Sequence, residues 1–451
     1  MSATYPFAGP IGAARAWARS TRGRAAIAGA APWLVFAVAL IVRADFVDDH
    51  PLHRYLVDDM AFYDARASHL LDGASAARDT FTPAGYPMLV ALVFRVFGRD
   101  YAVIGALHAA LGAATCAIAS GIAARASRSA ASGLAAGLAL ALYPPLVLYT
   151  GLLMTETVFT FLLVASAAAL LRATTTTRRA RAFAIASGLA LGVAATVRPN
   201  ALVALPFVGL FALSLRRSGA RRAAREVALS IAVALAPIAA MSAYDTALAG
   251  RPTLLATNGG INLFLGVCGC RGVRMPPGDG VRMASGAHNR RRFTEIVDVD
   301  HGPRDERAFV AEALARAEDR PTFVALEALR KIGDGLALDV DPRGDPRSSP
   351  YWPGWMGHDD ALRASARALL WLALLPAAIF TALRARRPRH VIEARTLRLV
   401  ALLFASCLVT LAVFLGDARL RLPFDPLIFA VAAAAWTTAV RAALRRREAV
   451  A

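Results

Sequence analysis

Long apolar segments alternate with short, arginine-rich connections along almost the whole chain. Ten of these segments approach the ~20 residues that a helix needs to cross a bilayer. They lie near residues 26–43, 101–123, 130–148, 154–171, 183–197, 200–215, 227–246, 364–383, 397–415 and 422–440. Most lack the polar face of a helix in a soluble protein. The pattern therefore predicts an all-α, polytopic membrane protein with about ten transmembrane helices.

One pair of segments leaves two interpretations open. The stretches 183–197 and 200–215 are short for spans and are separated only by Arg198, Pro199 and Asn200. They fit two separate spans, and they also fit a re-entrant hairpin.

Composition and charge agree with a membrane protein and give an orientation. The chain has 451 residues, 57% of them hydrophobic, and a formal net charge of +19. Basic residues cluster in every second connection, near 15–24, 125–128, 172–181, 216–225, 384–389 and 441–447. By the positive-inside rule both termini are expected in the cytoplasm. The charge thus indicates topology and contact with anionic membrane lipids, not nucleic-acid binding.

The same pattern divides the chain into regions. We expect a basic cytoplasmic N-terminus at 1–25, which leads into an uncleaved first span instead of a signal peptide. A transmembrane catalytic module follows at 26–246, and its external loop 44–100 carries two short juxtamembrane helices. A larger external loop at 247–362 precedes the C-terminal transmembrane helices at 363–440 and a cytoplasmic tail at 441–451.

Acidic residues stand at external positions where a membrane protein has little reason to place them. Asp58 and Asp59 follow the first span, and Glu156 begins a later one. A carboxylate in such a place can take a proton from a hydroxyl group. The structural alternatives are a helix cap for the aspartates and a favourable helix-dipole charge for Glu156.

External basic residues are the second chemical signal. Arg198, Arg419 and Arg421 depart from the positive-inside rule, and Lys331 lies in the larger external loop. Arginine can hold a phosphate through two hydrogen bonds. The alternative is an interfacial arginine whose head reaches lipid phosphates.

The remaining sequence motifs give less information about function. No nucleotide-binding fingerprint occurs in a suitable context. His50, His53 and His69 could join the aspartates at a metal ion, but their spacing is not diagnostic. Cys268 and Cys270 lie in an external loop, where a disulfide is permitted.

Six short motifs, in order along the chain, resemble one enzyme class. They are Asp59-x-x-x-Tyr63, Pro83-Ala84-Gly85-Tyr86-Pro87, Thr155-Glu156, Arg198-Pro199, Asn258-Gly259-Gly260-x-Asn262 and Arg419-x-Arg421-x-Pro423. Together they resemble the GT-C class of integral membrane glycosyltransferases, which use polyprenyl-phosphate-linked sugars. Within it, the nearest resemblance is to the bacterial branch related to protein O-mannosyltransferases and lipid A aminoarabinose transferases.

The resemblance implies a GT-C-like fold and an inverting transfer of sugar from a polyprenyl-phosphate donor. The acceptor would be a lipid, a glycan or a protein outside a bacterial inner membrane, with the active site facing the periplasm. No cofactor is expected, although some members of the wider class use a divalent ion.

Most site residues follow from the matching positions, and Lys331 is added for its charge in the larger external loop. Asp59 is the expected base, with Asp58 as the near alternative and Glu156 as a second acid of the site. The donor phosphate is expected at Arg198, Arg419, Arg421 and Lys331. Tyr63 and Tyr86 are expected to support the acids.

Two other classes of function compete with a transferase. A transporter or flippase of lipid-linked intermediates would place charges near the membrane midplane, usually in two related halves. Here the charges gather at one face and no halves repeat. A scaffold without catalysis would not explain ordered external acids and arginines.

Overall fold

The structure, a computed structural model, describes residues 21–56, 59–268, 306–336, 360–384 and 387–450, with four short strands between 273 and 303. Among the described residues, nine helices are long and apolar enough to cross a membrane, and a bent pair makes a tenth. The prediction of an all-α polytopic protein is therefore confirmed, apart from the strands.

The helices are α1 (Thr21–Asp49), α2 (Asp59–Asp72), α3 (Gly85–Phe97), α4 (Tyr101–Ser127), α5 (Ala130–Ala141), α6 (Pro144–Leu148), α7 (Glu156–Thr175), α8 (Ala180–Val197), α9 (Asn200–Arg217), α10 (Arg221–Ala249), α11 (Gly259–Val267), α12 (Glu306–Asp319), α13 (Pro321–Gly335), α14 (Asp360–Arg384), α15 (Val391–Val413), α16 (Ala418–Arg421) and α17 (Asp425–Val450). Two antiparallel pairs join β1 (Val273–Arg274) to β2 (Arg282–Met283) and β3 (Val297–Asp298) to β4 (Gly302–Pro303).

The long helices pack into one bundle around α4 and α7. Helix α4 contacts α1, α5, α7 and α17, while α8 lies between α7 and α10. Helix α9 packs against α10 and α15, and α14 packs against α17. Small residues allow the closest approach: a Cβ added at Gly188 or Gly192 of α8 would meet the carbonyl oxygens of Ser230 and Ala234 on α10.

The uncertain pair of segments forms two separate helices. Helices α8 and α9 each have the length and hydropathy of a span. Arg198 lies between them with an extended backbone, directly before Pro199. Proline disfavours helical geometry at the residue before it, which explains the break.

The predicted span 130–148 is not one continuous helix. Helices α5 and α6 meet at a bend of 58°, directly before Pro144 and Pro145. Proline cannot donate the backbone hydrogen bond that would continue the helix. The guanidinium of Arg43 donates to the carbonyls of Leu140 and Ala141, at 3.3 and 3.1 Å. This fully buried arginine thus satisfies backbone groups at the break.

The segments predicted to be external fold as short helices. Helices α2 and α3 lie within the predicted loop 44–100. Helix α2 buries one face, and its Arg66 donates to Asp245 of α10 at 3.0 Å. Farther along, α12 ends at Asp319 and α13 begins at Pro321, because proline suits the first position of a helix.

The two ends of the bundle differ in chemistry. At one end the arginine-rich connections meet: Arg222 donates to the carbonyl of Thr176 at 2.8 Å, and Arg395 donates to that of Thr174. The opposite end carries α2, α3, α11 and α13 and the ionisable residues described next.

Candidate active site

A pair of oppositely charged side chains joins α2 to the segment before the last span. Asp59, in the first turn of α2, has its Oδ2 atom 3.2 Å from Nη1 of Arg419 in α16. Asp417 Oδ2 lies 3.3 Å from Arg419 Nε. Asp417 Oδ1 also accepts from the backbone N–H of Arg419 at 2.9 Å, which caps α16. Arg419 is thus held by two carboxylates.

A second pair lies where α7 begins and α8 ends. Arg198 Nη1 is 2.5 Å from Glu156 Oε1 and also donates to the hydroxyl of Thr155 at 3.2 Å. Glu156 is fully buried, and the Arg198 guanidinium lies 5.9 Å from the centre of the Phe159 ring. A buried carboxylate needs such a partner, because an unpaired charge there is costly.

Tyr63 lies one helical turn after Asp59 and faces both pairs. Its phenol interacts electrostatically with Asp59 and Glu156 and with Arg198 and Arg419. Burial, and then the two carboxylates, raise the pKa of Tyr63 well above its usual value. The phenol therefore keeps its proton near neutral pH and can only donate or accept a hydrogen bond as O–H.

Tyr86 supports Tyr63 from α3. The two rings meet edge to face with centroids 5.3 Å apart. The Tyr86 hydroxyl is 3.3 Å from His108 Nε2, and His108 Nδ1 is 3.2 Å from the carbonyl oxygen of Thr150. Because a carbonyl oxygen only accepts, Nδ1 carries the proton and Nε2 accepts from the Tyr86 O–H. Burial raises the pKa of Tyr86, which favours this donor.

Arg421, expected to bind the donor phosphate, takes a different position from Arg419. It is buried, with Nε 2.9 Å from Asp425 Oδ1 and Nη1 2.7 Å from the carbonyl oxygen of Gly335. Asp425 is fully buried and also accepts from the hydroxyl of Tyr143 at 3.1 Å. Because these donors already face the protein, the geometry does not by itself support the expected phosphate contact of Arg421, which stays a prediction.

Lys331 is likewise occupied. Its ammonium donates to the carbonyls of Gly266, Val413 and Phe414, at 2.7, 3.3 and 3.1 Å. The expected contact with phosphate is therefore not supported by this arrangement either.

Some predicted residues lie outside the described part of the chain. These are Asp58, the alternative base, and Cys270. Cys268 is disulfide-bonded. The choice between Asp58 and Asp59 stays a prediction.

The histidines of the predicted metal site have other partners. Among the residues that the structure describes, no three histidine, cysteine or acidic side chains gather closely enough to hold an ion. His69 faces Asp79 at 2.9 Å, and His50 faces the carbonyl of Phe46 at 3.1 Å. Asp59 and Glu156 face arginines.

Sequence reasoning missed several supporting residues. Asp417 holds Arg419, while His108 and Arg43 bind backbone carbonyls deep in the bundle. Polar residues inside apolar spans are costly, so His108 and Arg43 did carry a signal. Asp417 stands directly before α16, which is a favoured capping position.

A family comparison matches the part of the chain that carries most of this cluster. Residues 58–239 match the model of the dolichyl-phosphate-mannose-protein mannosyltransferase family. The match covers less than half of the chain, begins at Asp58 and includes Glu156 and Arg198. No curated protein sequence matches the chain.

Solved structures extend the likeness to nearly the whole length. The oligosaccharyltransferase AglB from Archaeoglobus fulgidus, in complex with an inhibitory peptide and a dolichol-phosphate, superposes with a TM-score of 0.51 at 14% identity. The match covers 93% of this chain and 51% of that one. This chain has a GT-C-type fold. The GT-C-like fold that the motifs imply is therefore confirmed.

Two further structures complete the comparison. The Archaeoglobus fulgidus enzyme tethered to an acceptor peptide with the NVT sequon gives a TM-score of 0.53 at 12% identity, over 94% of this chain and 50% of that one. The GT-C-type chain thus spans about half the length of these oligosaccharyltransferases. ArnT from Cupriavidus metallidurans, bound to undecaprenyl phosphate, gives 0.40 at 14% identity over 84% and 76% of the chains, too low to carry an argument.

Proposed function

We propose that the protein transfers a sugar from a polyprenyl-phosphate carrier to a hydroxyl group of an external lipid, glycan or protein. The observation that carries this proposal is the pairing of Asp59 with Arg419 beside that of Glu156 with Arg198. It puts two acids and two phosphate-binding side chains around Tyr63 at one end of a GT-C-type bundle. The family match supports the same donor class.

The proposed chemistry is a single displacement. The acceptor oxygen forms a bond to the anomeric carbon as the bond from that carbon to the phosphate oxygen breaks. Asp59 takes the proton of the acceptor hydroxyl. The polyprenyl phosphate leaves with the electron pair, and attack from the opposite face inverts the anomeric centre.

The arginines neutralise the phosphate that leaves. Arg198 and Arg419 each present guanidinium N–H groups, which hold phosphate oxygens more strongly than neutral donors do. Arg419 is paired with Asp59 before the donor arrives. A bound phosphate would compete with Asp59 for Arg419, so that Asp59 could act as the base. Glu156 would keep Arg198 oriented throughout.

The proposed location is a bacterial inner membrane, with both termini in the cytoplasm and the site facing the periplasm. Support comes from the basic connections, which meet at the end of the bundle opposite to the site. Positive connections are retained on the cytoplasmic side. A transporter is less favoured, because its charged groups would lie near the midplane.

The test uses purified protein in nanodiscs with a panel of polyprenyl-phosphate sugars and a membrane extract as acceptor. Released polyprenyl phosphate is measured by mass spectrometry. We expect release from one carrier by the wild type and a loss of at least about a hundredfold with Asp59→Asn, as for a missing general base. Carrier movement between leaflets without release would contradict the proposal.

A further inference from the structure

The segment that carries Arg419 is attached at both flanks to one external helix. Residues 414–420 follow α15 and include the first three residues of α16. Where the segment begins, Lys331 of α13 donates to the carbonyls of Val413 and Phe414. After it, Arg421 donates to the carbonyl of Gly335, at the end of α13. The C-terminal turn of α13 therefore brackets the segment.

Close packing between the segment and α13 limits independent motion. A Cβ added at Gly416 would lie 2.6 Å from Cα and 2.8 Å from the carbonyl oxygen of Lys331. A Cβ at Gly335 would lie 2.5 Å from Cδ2 of Leu411. Since real Cβ atoms do not approach other atoms so closely, the segment backbone touches the α13 backbone at Gly416, and the α13 backbone touches the Leu411 side chain at Gly335. Arg419 follows Gly416 by only three residues, so its position depends on this contact.

The positive charge of Lys331 suits the three backbone carbonyls around it. Its three carbonyl partners belong to the C-terminal ends of α11 and α15. Helix C-termini carry unsatisfied carbonyls and a partial negative charge, which favour a cation. An ammonium offers three N–H donors, one for each carbonyl. An apolar side chain of the same length would leave these buried carbonyls unpaired.

We propose that Lys331 and Arg421 are positioning residues that hold segment 414–420 so that Arg419 faces Asp59, and that the Lys331 ammonium thereby sets the affinity for a lipid-linked phosphate without touching it. The inference rests on the proposed function, because it takes Arg419 as a ligand of the phosphate. It makes the second external region part of the donor site.

The titration of Lys331 should make the contact between α13 and segment 414–420 depend on pH. Burial lowers the pKa of its ammonium to about 8, with an opposing effect of Glu327 and a reinforcing one of Arg330. Asp417 follows Gly416, which packs on Lys331, and Arg421 comes directly after the segment; α11 has no charged side chain, and α15 has none after Arg398. On α12, Glu306 faces the Gly260 N–H and Arg316 faces the Phe264 ring. Above pH 8 the amine has two donors for three carbonyls.

The experiment measures binding of undecaprenyl phosphate to the full-length protein in nanodiscs between pH 6.5 and 9.5. We expect the wild-type affinity to fall severalfold above pH 8. Lys331→Arg should keep the wild-type affinity for undecaprenyl phosphate and lose the fall above pH 8, because arginine stays charged. At every pH, Lys331→Met should bind the lipid about tenfold more weakly than the wild type does at pH 6.5, equivalent to ~1.4 kcal/mol.

Hydrogen exchange of residues 413–421 separates positioning from direct contact. Faster exchange in Lys331→Met than in wild type, without bound lipid, is the expected result. Weaker binding with unchanged exchange would overturn the inference in favour of direct phosphate contact. The inference would also be overturned if the affinity of Lys331→Arg fell above pH 8 as much as that of the wild type, since another group would then be titrating.

Failure of the proposed function gives a different result. A wild type that binds no undecaprenyl phosphate while remaining folded would refute the donor class. The exchange measurement, which needs no lipid, would still decide whether Lys331 holds the segment. Unchanged hydrogen exchange in Lys331→Met would by itself refute the claim that Lys331 holds the segment.

Discussion

Nη1 of Arg419 lies 3.2 Å from Oδ2 of Asp59, although 360 positions separate the two residues in the chain. The contact brings the candidate base at the start of α2 to the candidate phosphate ligand before the last span. Glu156 at the start of α7 and Arg198 after α8 come from positions between them in the chain. The N-terminal and C-terminal parts of the chain are therefore both needed to build the site.

Replacing Arg419 should weaken binding of the lipid-linked phosphate. A charged hydrogen bond contributes about 1.5–3 kcal/mol, so Arg419→Met should bind undecaprenyl phosphate roughly 10- to 100-fold more weakly. The affinity of Arg419→Lys should lie between those of the wild type and Arg419→Met, because lysine keeps the charge and loses the two-pronged geometry. Titration in nanodiscs measures both.

The matched control is Arg99→Met. Arg99 also pairs with an aspartate, Asp64 at 2.5 Å, but it is exposed and lies outside the cluster. Its replacement should leave the affinity unchanged. Equal losses in Arg99→Met and Arg419→Met would mean that the effect is general electrostatics and not a site.

Arg421 should matter for stability, in contrast to Arg419. Arg421→Met leaves the fully buried Asp425 without its partner, a loss of about 3–5 kcal/mol for a buried pair. Thermal unfolding in detergent should show a clear fall in Tm. The double variant Arg421→Met/Asp425→Asn should recover part of it, because the orphaned charge is gone. An unchanged Tm with lost phosphate binding would restore Arg421 as a phosphate ligand.

Tyr63→Phe should change the rate and leave the pH profile alone. Since the pKa of Tyr63 is raised in the folded chain, its phenol is protonated throughout pH 6–9 in both the unfolded and the folded chain. We expect a loss of turnover of up to about tenfold, as for one neutral hydrogen bond. Above about pH 10, only the unfolded state would ionise, so this group lowers stability as pH rises. A shifted acid limb of the rate profile in Tyr63→Phe would contradict this assignment.

The close packing of α8 on α10 predicts a pair of contrasting glycine substitutions. Gly192→Val would push a side chain into the Ala234 carbonyl, and overpacking of this kind costs about 1–3 kcal/mol. Gly209→Val, on α9, meets open space and should change stability by less than about 0.5 kcal/mol. Thermal unfolding compares the two. Equal Tm values would mean that α8 and α10 are not in close contact.

Local signals in the sequence predicted much of this molecule. Hydrophobic run lengths predicted the spans, and short motifs indicated Asp59, Glu156, Arg198 and Arg419, which the structure places in two adjoining ion pairs. Pairing could not be predicted, because the partners come from distant segments.

Arg419 and Arg421 show the limit most clearly. They share one motif, yet residues two apart on a helix do not face the same side. Arg419 points to Asp59, and Arg421 points into the bundle toward Asp425. The break between α5 and α6 was missed for a related reason: a long apolar run can hide a bend at Pro144 and Pro145, and Arg43 binds the exposed carbonyls.

The most direct test of the central claim compares Asp59→Asn with Asp64→Asn in a strain that lacks the wild-type protein. Both changes replace an aspartate of α2, but Asp64 faces Arg99 and Tyr101 at the surface. Mass spectrometry of surface glycolipids, glycans and glycoproteins is the measurement. We predict one sugar that is lost on deletion, restored by wild type and by Asp64→Asn, and absent with Asp59→Asn at equal protein level. Full restoration by Asp59→Asn would contradict the assignment of Asp59 as the base.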